Sequence, residues 1–482
     1  MKLRRTLALT LILTLLLSLF CGCEKKETQK KKVSSKPKTS QKELSAAELY
    51  DKANELLEDH SAYQLNEKVK AKLVQGEEEN EFKMDIEFIS SGEKDKNPAL
   101  YSRNVISVGT VLAEQSITYV DGVCYVKEID SLYRQKMTPD EFIAFYDEEE
   151  EDNGEFSLNY FGKTEISGKK AKTIKYSAPK KDNLDELSKY FSDIIEGFFD
   201  DGDITDASGE VVLGEDGAFL SESIRIVGTA HSEGELGEFD IEMKISVDKF
   251  DEEVDQITKP TDANSYVEVK SVEAALDATH ALSDLFGKED SSYNLNFKYD
   301  IKISNESVSN VRTVDVQYKY NNEGVVHQLY VKGKDVRTTP EEKNLSSDHT
   351  VDYSGNSIKL NMYFQTKKVT PTDKQVEEFL LMYLLPSAPI FTQLTAASQT
   401  EKGGKRTINY SVSNEDFENW GASLLIQNGT TPDSIKVKSG GNAYFVLNED
   451  DEVVSTYIKK SFTVVAYGQT AEFTVEVTRT NK

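Results

Sequence analysis

Tyr293-Asn294-Leu295-Asn296-Phe297-Lys298-Tyr299-Asp300-Ile301-Lys302-Ile303 alternates large apolar and polar side chains without a break. Successive side chains of a strand project to opposite faces, so this run is a strand with one wet and one covered face. The other half of the chain holds a second such run. There Tyr63, Leu65, Val69, Ala71 and Leu73 fall on one side, and Gln64, Asn66, Lys68, Lys70 and Lys72 on the other. Strands of the same period follow at Phe239, Ile241, Met243, Ile245 and Val247, and at Phe473, Val475 and Val477. Alternation of this kind marks antiparallel sheets.

The paired runs belong to an internal duplication. Lys172-Thr173-Ile174-Lys175-Tyr176-Ser177 meets Arg406-Thr407-Ile408-Asn409-Tyr410-Ser411, each residue 234 positions on. In the same register Val212-Leu213-Gly214-Glu215-Asp216 meets Val446-Leu447-Asn448-Glu449-Asp450, and Glu238-Phe239-Asp240-Ile241-Glu242 meets Glu472-Phe473-Thr474-Val475-Glu476. Nearer the start of each half other offsets apply. Tyr63-Gln64-Leu65-Asn66 pairs with Tyr293-Asn294-Leu295-Asn296, Tyr119-Val120-Asp121-Gly122 with Tyr330-Val331-Lys332-Gly333, and Thr138-Pro139 with Thr370-Pro371. The landmarks keep their order, which divides the chain into domains at 45–260 and 268–482, joined near Lys259-Pro260.

Each half opens with a helix. Ser45 and Glu48 form a capping box ahead of Ala46, Leu49, Tyr50, Ala53, Leu56 and Leu57, and a counterpart begins after Ser271. Asp121-Gly122 and Lys332-Gly333 have the chemistry of tight hairpin turns. Further helices are expected at Pro139–Tyr146, Leu184–Phe199, Pro371–Leu385 and around Phe417 and Trp420. The fold class is therefore α+β, mostly β, with two tandem antiparallel sheets and inserted helices. The helices could plug the apolar face of each sheet or act as a lid over a cavity, and both readings stay open.

The first residues read as a secretion signal. Lys2, Arg4 and Arg5 precede an apolar run, Leu7 to Phe20, that is short for a membrane span. Phe20 and Gly22 stand where a lipoprotein signal puts its apolar and small residues, so 1–23 is the signal and Cys23 the lipidated residue. A diacylglyceryl group there would tether the protein to the outer face of the cell membrane. Residues 24–44 form a disordered linker, whose part to Lys42 carries eight lysines and two glutamates. The net charge is −27 overall and −36 from Glu43 onward, which sets a basic tether against an acidic body and argues against nucleic acid as a partner.

Little here suggests catalysis. The five histidines are dispersed, and no HExxH, CxxC, GxSxG or phosphate-binding glycine loop occurs. No catalytic residue, metal ligand or cofactor is assigned, and the chain is read as non-enzymatic. The acidic runs Asp147–Asp152 and Asp200–Asp206 are read as solvated loops, since Asp206 stands where an EF-hand needs glycine. Cys124 is expected as a buried thiol.

The lipidated cysteine, the opening helix before Ser61-Ala62-Tyr63-Gln64-Leu65, and the Tyr119–Val126 hairpin together resemble the LolA-like and LppX-like lipoprotein carriers. Val331-Lys332-Gly333-Lys334 departs from that pattern by lacking the second tyrosine. The resemblance implies curved half-barrels wrapped around helices, each with an apolar pocket for acyl chains. On that reading Tyr63, Leu65, Tyr119, Tyr125, Phe191, Ile195 and Phe198 line the first pocket. Tyr293, Leu295, Phe379, Tyr383 and Trp420 line the second. The expected function is binding or carriage of a lipid or other apolar ligand. The alternative is a module with packed barrels that meets a protein partner in the cell envelope.

Overall fold

The computed structural model describes residues 44–482 other than 59, 77, 93–97, 109–110, 130, 148–157, 169, 179–180, 192–194, 196–198, 200, 233–234, 288–289, 304–305, 322–324, 355–356, 363–364, 392 and 450. The signal, Cys23, the linker before Leu44, Phe198, Asp200 and most of the Asp147–Asp152 run lie outside these residues. The chain divides into two compact units, one extending to Ser265 without Asp130–Gln135, the other made of Asp130–Gln135 and Tyr266–Lys482.

The first unit begins with α1 (Ala46–Glu58). Ser45 Oγ accepts from the Glu48 amide and Glu48 returns a bond to the Ser45 amide, the expected box, worth about 1 kcal/mol. The strands are β1 (Ala62–Gln75), β2 (Glu78–Ser91), β3 (Ala99–Val108), β4 (Val111–Val120), β5 (Val123–Glu128), β6 (Ser131–Lys136), which goes with the second unit, β7 (Lys163–Ser167), β8 (Lys172–Ser177), β9 (Asp201–Leu213), β10 (Phe219–Ser232) and β11 (Glu235–Phe250). Apart from β6 they follow the order β5-β4-β3-β2-β1-β11-β10-β9-β8-β7, so the opening strand pairs with the closing one and β7 forms an end of the sheet. Two further helices, α2 (Pro139–Asp147) and α3 (Lys181–Tyr190), are inserted between strands. Beyond α3, the Ile195 and Phe199 amides bond to the Phe191 and Ile195 carbonyls, and α3 packs against β9.

In the second unit β12 (Val267–Glu268) runs parallel to β6. After α4 (Val272–Phe286) come β13 (Ser291–Ile303), β14 (Glu306–Tyr320), β15 (Val326–Thr338), β16 (Leu345–Ser354), β17 (Ser357–Met362) and β18 (Gln365–Val369). Helix α5 (Asp373–Leu384) leads through a short 3-10 turn, Leu385–Ser387, to β19 (Ala396–Glu401) and β20 (Arg406–Ser411). Helix α6 (Asn414–Gln427) precedes β21 (Ser434–Val437), β22 (Asn442–Leu447), β23 (Val453–Ala466) and β24 (Gln469–Asn481). The main sheet reads β18-β17-β16-β15-β14-β13-β24-β23-β22-β20-β19, again with first strand beside last. Arg406 on β20 reaches Glu273 and Asp277 of α4 at 2.9 and 2.8 Å, pinning helix to sheet.

Both sheets are antiparallel apart from the short β12–β6 pair and open, with apolar inner faces covered in part by helices. The alternation read in β13 holds, but its burial decays along the strand. Tyr293, Leu295 and Phe297 are buried, Tyr299 and Ile301 half-buried, and Ile303 exposed, so cover is confined to one end.

Three sequence readings are corrected. Asp121 and Gly122 do turn a hairpin with φ of 53° and 73°, but Lys332-Gly333 lies inside β15. Gly333 is there for closeness, because a Cβ would overlap the His349 ring on β16. The helix expected from Pro371 starts at Asp373, since Thr372 caps it through the Gln375 amide. Asp201–Asp206 forms the start of β9, where Asp203 and Asp206 pair with Thr229 and Val227, so it is no loop.

Candidate functional site

The register of the strands brings polar residues into line on the inner faces. In the first unit Glu222 lies opposite Ile245, Ile245 opposite Glu67, Glu67 opposite Ile86, Ile86 opposite Asn104, and Asn104 opposite Gln115. Residues directly opposite share a face, so one row crosses six strands under the helical cover. Glu222, Glu67 and Asn104 are all buried. Tyr50 of α1 donates its hydroxyl to Glu222 Oε2 at 3.0 Å, and Tyr176 of β8 donates to Oε1. Glu67 Oε1, Asn104 Oδ1 and Gln115 Oε1 find no hydrogen-bond partner. Burial pushes the Glu67 carboxyl up to about 8. It pushes Glu222 up to about 7, against the lowering effect of the Tyr176 and Tyr50 hydroxyls.

A row at the same depth crosses the second unit: Thr456, Arg479, Leu295, Val314, Gly333 and His349. Counting 234 residues on from Glu222 and Ile245 gives Thr456 and Arg479. Where one unit buries carboxyls, the other buries a guanidinium. Arg479 is 2% exposed, with its Cζ 3.9 Å from the Tyr293 ring centroid. Its Nε donates to Asn481 Oδ1 at 2.9 Å, while Nη1 and the Tyr293 hydroxyl lack partners. Thr456 Oγ1 donates to the Ser387 carbonyl at 2.9 Å, and Trp420 Nε1 to the Leu385 carbonyl at 2.9 Å. Together they seat the 3-10 turn on the row. Beyond Gly333, Asp335 accepts from Arg312 at 2.7 Å and lies 3.5 Å from His349 Nδ1.

The residues read as pocket lining are distributed unevenly. Tyr63 and Tyr119 share a row through Ser90 and Leu100, with Tyr63 half-buried and Tyr119 buried. Tyr119 stacks on Phe142 at 4.0 Å and donates to the Met137 carbonyl at 3.0 Å. Leu65, Phe191, Ile195, Tyr293, Leu295, Tyr383 and Trp420 are buried on the inner side of their units. Tyr125 does not join them. The two-residue turn sets Tyr119 opposite Cys124, so Tyr125, one residue further, faces the other side of the sheet with Thr118. Cys124 is fully buried, and burial pushes its thiol up to about 12.

Phe379 is half-buried and lines a cleft of about 270 Å³ between β17 and α5, with the apolar Ile358, Leu360, Val369, Pro371 and Met382 and the polar Gln375 and Glu378. Val369, Leu381 and Met382 are exposed large apolar residues at its lip or on the same helix. A larger cleft in the first unit, about 660 Å³, opens among Lys68, Lys70, Lys175, Arg225 and Lys244. Those side chains alternate with the buried Val69, Ile174, Ile224 and Met243, so it belongs to the polar face. Among the described residues no three histidine, cysteine, aspartate or glutamate side chains gather as a metal site, and no helix is long and apolar enough to span a membrane.

Sequence reasoning missed Glu67, Glu222 and Arg479; their parity with apolar neighbours hints at the inner face, and the strand register is what places them there. Glu67 sits in step with Leu65 and Val69, Glu222 with Ile224 and Ile226, and Arg479 with Val475 and Val477.

No family model matches the chain, and no curated protein does. Among solved structures, LprF from Mycobacterium bovis is 11% identical, with 43% of this chain and 92% of that one covered at a TM-score of 0.23. An outer membrane lipoprotein-sorting protein domain from Vibrio parahaemolyticus is 8% identical over 43% of this chain and 91% of its own, with a TM-score of 0.16. Kievitone hydratase from Nectria haematococca is 6% identical over 86% and 89%, with a TM-score of 0.13. Likeness of this degree fixes neither fold nor ligand for this chain.

Proposed function

We propose that this chain is a non-enzymatic, membrane-anchored lipoprotein of the cell envelope, built from two copies of a LolA-like half-barrel, that binds or carries an apolar ligand. The observation that carries the reading is the cleft between β17 and α5. Its walls carry Ile358, Leu360, Val369, Pro371, Phe379 and Met382, with Gln375 and Glu378 as the polar side chains among them, and its volume of about 270 Å³ borders the range usual for small-molecule sites. Apolar side chains exposed at such a lip are costly in water and are covered when a hydrocarbon tail enters, at about 25 cal/mol per Å². The signal-like start, Cys23 and the lysine-rich linker support the anchor. The matching strand order of the two sheets supports the duplication.

Native mass spectrometry of the chain from Glu43, which holds both units, tests this. Bound lipid released on denaturation is expected, together with uptake of a fluorescent fatty acid. Bare protein that takes up no such probe refutes it. A second reading, a packed scaffold that meets an envelope protein, draws on the complete burial of Phe191 and Ile195 in the first unit, which leaves little room beside them. The bare-protein outcome would favour it.

A further inference from the structure

Arg479 has no place in a purely apolar core. Taking a guanidinium out of water costs several kcal/mol unless an anion meets it. Its electrostatic neighbours are instead the hydroxyls of Tyr293 and Tyr318, and the Tyr318 hydroxyl also accepts a hydrogen bond from it. The Tyr293 ring under the guanidinium supplies part of the missing stabilisation, and Nε is satisfied by Asn481. Nη1 and the Tyr293 hydroxyl are left over in a dry interior, and a single acceptor could serve both. From this pair a ladder of rings runs outward, Tyr293 to Tyr318 at 6.4 Å and Tyr318 to the half-buried Tyr320 at 5.8 Å.

We propose that Arg479 and Tyr293 hold the carboxylate of a long-tailed acid of the fatty-acid class on the inner face of the second unit. The planar fork of arginine matches a carboxylate through two parallel bonds. One monoanion neutralises one guanidinium, whereas a phosphate monoester would bring further negative charge with no second cation beside Arg479 among its electrostatic neighbours. The row around it is apolar at Leu295 and Val314, which suits a hydrocarbon tail. In the first unit the equivalent position is Ile245, flanked by Glu67 and Glu222, so acid recognition is confined to the second. This rests on the reading of the inner face as a ligand surface.

The test is a titration of the chain from Glu43 with a fluorescent long-chain fatty acid, its methyl ester, and a lysophosphatidic acid of the same tail. The acid is expected to bind about tenfold tighter than the ester or more, as a charged hydrogen bond is worth. Arg479→Leu should bring the acid down to the affinity of the ester. Tyr293→Phe, which keeps the ring, should give a smaller loss in the same direction. Equal binding of acid and ester by the unaltered protein, or an acid preference that survives Arg479→Leu, overturns the carboxylate assignment and leaves the apolar-ligand reading standing. Tighter binding of the lysophosphatidic acid also overturns it. If neither acid nor ester binds, both the assignment and the broader reading fall.

Discussion

The Tyr50 hydroxyl donates to the Glu222 carboxyl across 3.0 Å, joining α1 to β10 through residues 172 apart in the chain. This bond sits in the interior, so its loss would leave a buried acceptor short of a donor. Tyr50→Phe is expected to destabilise the chain by about 1–3 kcal/mol, read from the denaturant midpoint.

Glu67 and Glu222 make stability depend on pH. Their folded values, about 8 and about 7, lie above the ordinary 4.5. The folded state therefore holds protons that the unfolded chain releases, and the stabilisation is fully present below about 4.5 and lost as pH rises through 7 and 8. Unfolding midpoints measured from pH 4.5 to 9 should fall, by on the order of a few kcal/mol in total. Glu67→Gln should flatten most of that slope, and an unchanged slope would contradict the assignment.

Gly333 is expected to tolerate no side chain. Gly333→Ala places a methyl group against the His349 ring and Val314, an overpacking that costs about 1–3 kcal/mol. Thermal unfolding measures it, and a neutral result would show that His349 yields easily.

Met382 is 40% exposed at the α5 cleft, so its replacement should spare the fold while altering binding. Met382→Glu is expected to cut fatty-acid uptake about fivefold or more through desolvation of the new carboxylate, with the unfolding midpoint within about 0.5 kcal/mol. Equal uptake by both proteins would place the ligand elsewhere.

The anchor is tested separately from the folded units. Labelled palmitate should enter the expressed protein and be lost in Cys23→Ala, which should then be released from the membrane fraction.

Period-two alternation makes both sheets legible in the sequence, because a strand with one wet face has to write that face into every second residue. Helix starts at Ser45 and Ser271 were legible for a similarly local reason, a side chain meeting an amide three residues on. Lys332-Gly333 misled because glycine has two uses, and sequence alone does not separate a turn from close approach to a ring on the adjacent strand. Tyr125 misled through counting. The hairpin fixes which residues face each other, and a one-residue step reverses the face. The buried row was hidden for another reason: Glu67 and Arg479 look like solvent-facing residues until the register gives them apolar neighbours.

Strand β7 has every residue exposed, and Lys163 and Glu165 stand along it. Unpaired backbone at the rim of a sheet invites a neighbouring chain to add itself there. Any newcomer would have to strip water from both charges, so close approach of other chains need not end in aggregation through this border.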